Sequence, residues 1–448
     1  MGMFRAPDRD TVFLLPPSVD EWLPKDHLAR FVVDAVGALD LTMVEGEYAG
    51  CGSKPYHPRM LLSLLFYGYA TGIFSSRRLE QATYESIPMR FVCGNLNPDH
   101  DTIATFRKRF MPHLEGAFNE VLLMAHEMGL LRIGKVSVDG SKVQANASKH
   151  KALSWERANL LEKQIEEEAR RLLRMAEEAD AQEVDDQLDL PAELAHRETR
   201  LKKIREAKAE IERRARERYE TEKREHEEKL ARRAAATRGC GKAPKPPEEG
   251  PQAKDQVNLT DEQSRVMLSR GGFVQAYNGQ LAVDTENGFI LSCHVTNAPV
   301  DVHQLAPAIE RLKKLPPELG CVEAVLADYG YFSKDNVTRC HEEGITPYVA
   351  CSRERHHPTL EERLGPQKVE PPPEEEENPV DAMKRRLKTR EGRAVYAKRK
   401  STVEPRFGII KHVLGFRQFL LRGLENVHGE WQMVCIAANL KRMHALKA

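Results

Sequence analysis

The spacing of apolar residues changes character three times along the chain, and each change marks a different architecture. Between residues 56 and 110 it is helical. The run Met60-Leu61-Leu62-Ser63-Leu64-Leu65-Phe66-Tyr67 opens one helix, Ser75 and Ser76 offer caps for a second over 77–82, and a third starts at Asp101-Thr102. Ile103, Phe106 and Phe110 recur at i, i+3 and i+7 and share one face of that third helix. The faces left over are assigned to Arg107, Lys108 and Arg109. This pattern suits a helical module that places one helix in a DNA groove, and it equally suits a small bundle with solvated basic residues.

From 153 to 238 the chain is a dense mixture of Glu, Arg, Lys, Ala and Leu. Leu161, Ile165 and Leu172 form one stripe, and Leu194, Leu201, Ile204 and Ile211 another. Asp189-Leu190-Pro191 supplies an acid and a proline suited to a first turn, which predicts two long arms of a helical hairpin. Its charges alternate as solvated faces do, so assembly is its expected role. Residues 239–250, with three prolines, read as a linker.

Beyond the linker the period becomes that of strands: 272–277, 279–283 and 289–295, with Asn287-Gly288 as a turn. A helix over 302–315, a buried strand over 322–327, a helix over 334–343 and a strand over 346–350 follow. Such alternation predicts an α/β sheet domain. Residues 358–381, with Pro371-Pro372-Pro373 and Glu374 to Glu377, are too polar and proline-rich for a core and read as an acidic loop.

Charge changes the picture only locally. The chain carries 68 Lys plus Arg and 68 Asp plus Glu among 448 residues, but 384–448 holds sixteen basic against four acidic residues. A basic end of this kind suits phosphate backbones. The eight cysteines show no CxxC pair or zinc-like spacing. No apolar leader or run of about 18 uncharged apolar residues occurs, so a soluble, cytoplasmic protein without membrane contact is expected.

Three acids are placed for chemistry. Asp139 ends the alternating stretch Lys135-Val136-Ser137-Val138, Asp328 follows the apolar strand Val325-Leu326-Ala327, and Glu404 is expected near the start of a helix with Phe407, Ile410 and Leu414 as its stripe. Divalent cations that clamp the attacking and leaving oxygens of a phosphodiester need such hard oxygen ligands. Each acid also has an ordinary reading: Asp139 and Asp328 as turn residues, Glu404 as the end of a Ser401-x-x-Glu404 capping box. Asp284, Asp301 and His303 are explained by turns and caps. His356-His357 has no neighbouring ligands in sequence.

The stretch Val136-Ser137-Val138-Asp139-Gly140-Ser141-Lys142, the segment Ala327-Asp328-Tyr329-Gly330-Tyr331-Phe332, and Tyr396-x-x-Arg399 followed by Glu404-Pro405-Arg406-Phe407 and Lys411 resemble bacterial insertion-sequence transposases of the DDE class. The resemblance extends to 56–110 and to Tyr277-Asn278-Gly279-Gln280. It implies an RNase H-like mixed sheet with its first acid on the first strand, the second after the fourth strand and the glutamate on a later helix. It assigns catalysis and Mg2+ or Mn2+ to Asp139, Asp328 and Glu404, and DNA contacts to Tyr396, Arg399 and Lys411. Here four residues separate Arg399 from Glu404, where the usual Tyr-Arg-Glu-Lys signature has three, so Lys400 shares the claim of Arg399.

A straight helix would put Lys411 about 20° around from Glu404 and about 10 Å along, facing the same DNA. The expected organisation is an all-helical N-terminal DNA-binding domain (1–125), the first part of the core (126–152), a helical-hairpin insertion with its linker (153–255) and the rest of the core (256–448). The expected partners are double-stranded terminal inverted repeats, target DNA and at least a second copy of the chain. The alternatives are a non-catalytic DNA-binding or assembly protein descended from a transposase, and an RNase H-like nuclease that does not join.

Overall fold

The computed structural model describes residues 18–48, 55–182, 190–235, 243–269, 271–352 and 378–447. Two compact units emerge: 1–143 with 278–421 and 425–448, and 144–277 with 422–424.

The first unit begins with helices α1 (Leu28–Ala38), α2 (Thr42–Gly46), α3 (Pro58–Ala70), α4 (Ser76–Glu85), α5 (Ile87–Val92), α6 (His100–Phe110) and α7 (Leu114–Glu127). Pro58 sits at the first position of α3, where its missing N–H costs nothing, and His57 caps that end by accepting from the Arg59 amide. Leu61, Leu62, Leu64, Leu65 and Phe66 are all buried, as befits a helix apolar on every side. Ser75 precedes α4 without a side-chain cap bond, whereas Asp99 caps α6 through the Thr102 amide, so the helix begins one residue earlier than the residue pattern indicates.

The sheet contains β1 (Lys135–Gln144), and its other strands come later in the sequence. The second unit holds β2 (Ala152–Ser154), α8 (Trp155–Gln182), α9 (Leu190–Ala235), β3 (Gln256–Asn258) and β4 (Arg265–Ser269). β2 and β3 pair antiparallel at the base of the two long helices. Leu153, Ala158, Ile165, Ile204, Ala207, Ile211 and Val257 form a buried cluster there. Outside it the arms are tied by ion pairs, Glu162 with Arg205 and Lys208, and Glu168 with Arg197. Residues 183–188 and Asp189, where the sequence places the break between the arms, lie outside the described residues.

β5 (Gly272–Asp284) runs unbroken where the sequence suggests two strands, and its first residues pair with β4. β6 (Ile290–Thr296), α10 (Leu305–Lys313), β7 (Ala324–Ala327), α11 (Lys334–Glu342), β8 (Thr346–Val349), α12 (Pro379–Arg386), α13 (Arg390–Gly408), a π-turn at Ile409–Val413 and α14 (Leu424–Lys447) complete the chain. The expected acidic loop falls mostly outside the described residues, and its last residues belong to α12. His356-His357 also lies outside them.

The strand order is β4-β5-β1-β7-β8, with β6 also paired to β5; β1, β7 and β8 are mutually parallel and β5 is antiparallel to β6. α14 is a core element of this unit: Trp431 is fully buried, its indole N–H donates to the Gln280 carbonyl, and Phe407, Phe416 and Phe419 surround it. The basic end of the chain is therefore part of the core and no detachable tail.

Candidate active site

β7 is a short apolar strand that pairs in parallel with the first residues of the longer β1, Ser137 opposite Leu326. Asp139 lies two residues beyond Ser137, and Asp328 two beyond Leu326. Side chains alternate along a strand, so both carboxylates leave the sheet at the same level and on the same side, on neighbours about 4.8 Å apart. Asp139 is 19 % exposed and accepts from the Gly140 amide; Asp328 caps a single turn, Tyr329–Tyr331, by accepting from Gly330.

Glu404 arrives from α13. Thr389 caps that helix, which runs through Pro405, so Glu404 sits in its last turns and neither near a helix start nor in a capping box. The Arg399 guanidinium joins the acids: it lies 3.1 Å from Glu404 and 3.7 Å from Asp139. Arg399 is buried and faces the acids, while Lys400 is exposed and lines a cavity of about 600 Å3 with Tyr396, Lys384, Lys388 and Arg393. The Tyr396 ring lies 6.0 Å from the Arg399 guanidinium. Lys411 is carried by the π-turn, whose wider step takes it off the straight-helix phase. Its ammonium donates to Ser141 Oγ (2.5 Å) and the Lys142 carbonyl (2.8 Å), on β1 beyond Asp139.

Two sequence readings change here. Arg107 is buried, 8 % exposed, and donates to the Phe74 carbonyl, so it packs within the bundle and does not stand on an open face. Four residues past Ile103 is about 40° around the helix, which already put Arg107 on the buried stripe. Lys108 and Arg109 are exposed, and Arg109 stands 3.8 Å from Glu47. Asp301, read as a cap, instead lies beside the acids, with its carboxylate 3.6 Å from Lys142.

The electrostatics of the cluster follow from burial and like charge. Burial, and next the charge of Asp328, push the Asp139 carboxyl up to about 7, against the Gly140 amide and Arg399. Burial lowers the proton affinity of Lys142, against the pull of Asp301, Asp139 and Asp328. Tyr331 stays protonated, because burial and then the same three carboxylates oppose its ionisation.

A carboxylate that resists ionisation beside a second one is what a divalent cation relieves, and hard oxygen donors are its ligands. Asp139 and Asp328 fit such an ion; Glu404 is engaged by Arg399. Among the described residues no three acidic, His or Cys side chains converge tightly enough to hold a metal by themselves.

The raised proton affinity has a thermodynamic consequence. The unfolded chain ionises Asp139 near 3.8 while the folded chain holds its proton to about 7. The resulting stabilisation is full below about pH 4 and is lost as pH rises through 7, by at most about 4 kcal/mol. In metal-free protein the melting temperature should fall between about pH 4 and 7 and level off above, Asp139→Asn should flatten that fall, and Mn2+ should restore stability at the upper end. Thermal melts with and without chelator check this.

A sheet of this order, flanked by helices and bearing one carboxylate on β1 and another just after β7, defines the RNase H-like α/β class. Two family models match the chain: "Transposase domain (DUF772)" over residues 17–109 and "Transposase DDE domain" over residues 243–440. Together they span more than half of it, and the chain belongs to the insertion-sequence transposases of the DDE class. No curated protein and no solved structure matches it. Among the described residues no helix is long and apolar enough to cross a membrane.

Proposed function

We propose that this transposase cleaves the ends of its element and joins the freed 3′ ends to target DNA, with Asp139, Asp328 and Glu404 as its Mg2+ or Mn2+ ligands. The observation that carries this reading is the parallel register that sets Asp139 level with Asp328, with Glu404 tied to Asp139 through Arg399. A bound divalent ion pair would supply an ionised oxygen nucleophile at neutral pH and charge stabilisation for the leaving oxygen.

The remaining work falls to the chain itself. Arg399 keeps Glu404 beside the aspartates while neutralising both ends of the trio. Lys411 pins the backbone of β1 where Asp139 must stay fixed. Lys108, Arg109, Tyr396 and Lys400 are the proposed contacts to the DNA backbone, which position the duplex without reading its sequence. The 3′ oxygen leaves in cleavage and attacks in joining, so one site serves both steps. A second copy of the chain is needed to bring two inverted-repeat ends together, and the work takes place at the bacterial nucleoid.

Phosphate contacts predict a salt effect. Replacing Lys384, Lys388 and Lys400 with Gln should lower the log-log slope of affinity against salt by up to about 3, while the same change at three lysines of α9 leaves it unaltered. Filter binding across a salt series checks this, and an unchanged slope in the first variant removes the cavity from the DNA surface.

A duplex with a labelled recessed 3′ end, supplied with target DNA and Mg2+, tests the proposal. Labelled products longer than the substrate are expected. Nicks without longer products would make the chain a nuclease that does not join, and binding without either would make it a DNA-binding protein alone.

A further inference from the structure

Asp301, in the turn that follows β6, lies near the segments that carry Asp139 and Asp328. Its Oδ1 accepts from Asn278 Nδ2 at 2.6 Å and Gln280 Nε2 at 2.7 Å. Asn278 and Gln280 are alternate residues of β5 and so project from one face. Both are fully buried, where an amide left without its partner is costly. Gln280 then uses its other end: Oε1 accepts from the hydroxyl of Tyr331, the last residue of the turn that Asp328 caps. A continuous chain of hydrogen bonds runs from Asp301 through Gln280 to the Asp328 turn.

The same carboxylate lies against the residue next to Asp139. A methyl group on Gly140 would stand 2.7 Å from Asp301 Oδ1 and closer still to Gln280 Nε2, so the glycine leaves room for this hydrogen-bonded cluster to close on β1. On the other side, a methyl on Gly330 would meet Asp328 Oδ1 at 3.0 Å and the Asp301 Cβ at 3.8 Å. A side chain at either glycine would thus meet Asp301, whose carboxylate itself donates nothing.

We propose that Asp301 is a positioning residue that fixes the spacing of Asp139 and Asp328, acting on one through Gly140 and on the other through Gln280 and Tyr331. It rests on the reading of those aspartates as metal ligands. Supporting residues of this kind orient metal ligands, and their loss weakens metal affinity about 10- to 100-fold. Because the amides bond to one oxygen of Asp301, an asparagine there can keep both contacts, whereas alanine loses them.

The test is Mn2+ titration by calorimetry into full-length protein carrying Asp301→Ala, Asp301→Asn, Tyr331→Phe, or both Asp301→Ala and Tyr331→Phe, with Asp139→Asn as control. Asp301→Ala and Tyr331→Phe should each weaken Mn2+ binding about tenfold, the double variant should be little weaker than Asp301→Ala alone, and Asp301→Asn should stay within about threefold of the parent. Should Asp301→Ala fail to fold, Tyr331→Phe and Asp301→Asn still decide. Unchanged affinity in Tyr331→Phe, or an Asp301→Asn as weak as a removed ligand, overturns the proposal. Asp139→Asn binding Mn2+ as the parent does would instead sink the reading of the metal site itself. Loss in Asp139→Asn with normal binding in Asp301→Ala and Tyr331→Phe refutes the positioning role alone.

Discussion

Asp139→Asn, Asp328→Asn and Glu404→Gln should each depress metal-dependent nicking of end DNA by roughly three orders of magnitude, which is about 4 kcal/mol of barrier. Each change keeps the size of the side chain and removes one negative oxygen. The folded structure bears this differently at the three positions. Asp139→Asn relieves a crowded carboxyl whose ionisation is opposed by burial and by Asp328, so this variant should be more stable than the parent at pH 8. Glu404→Gln removes a charge from the Arg399 bridge at an exposed position, so its melting temperature should hardly move. DNA affinity should persist in all three, because the phosphate contacts lie elsewhere. Activity assays beside melts and binding curves separate these effects, and a parent-like nicking rate in any one variant removes that residue from the metal site.

Shortening the hairpin should have the second-largest consequence. The ion pair between Glu168 and Arg197 marks where the arms still face each other, and the buried cluster around Ile165 and Ile204 lies on the β2–β3 side of it. Joining Glu168 to Arg197 through a short Gly/Ser linker therefore spares the cluster and removes only the far end of the arms. Mn2+ binding and single-end DNA binding should match the parent, while complexes holding two ends should fall by at least about tenfold, roughly 1.4 kcal/mol. Native gels with end DNA and calorimetry read both halves. Normal two-end complexes would leave this part of the hairpin without an assembly role, and lost Mn2+ binding would tie it to the acids.

What was legible in the sequence followed the reach of local physics. Helix α3 and the strands β7 and β8 announce themselves by apolar runs, and the hairpin by its two stripes. The long strand β5 was read as two, since Asn278 and Gly279 look like a break until their burial against Asp301 and Trp431 is known. Asp139 and Asp328 are almost two hundred positions apart, so their neighbourhood follows from strand pairing, which no local pattern reveals; family resemblance alone brought them together. Asp301 looked like a turn residue for the same reason, as its partners come from β1 and β5. The π-turn that redirects Lys411 has no sequence mark. Arg107 was a different case: its angle on the helix already placed it among Ile103 and Phe110, and its charge distracted from that arithmetic.

The central claim is that one metal site is built from the middle of β1, the turn after β7 and the last turns of α13. Hydroxyl-radical mapping tests it most directly: Fe2+ replaces Mg2+ in the full-length protein bound to end DNA, ascorbate and peroxide generate radicals at the metal, and the cut peptides are identified by mass spectrometry. Cleavage clustered around residues 139, 328 and 404 is the expected result. Cuts that spare these three segments, or that fall in the hairpin arms instead, would contradict it.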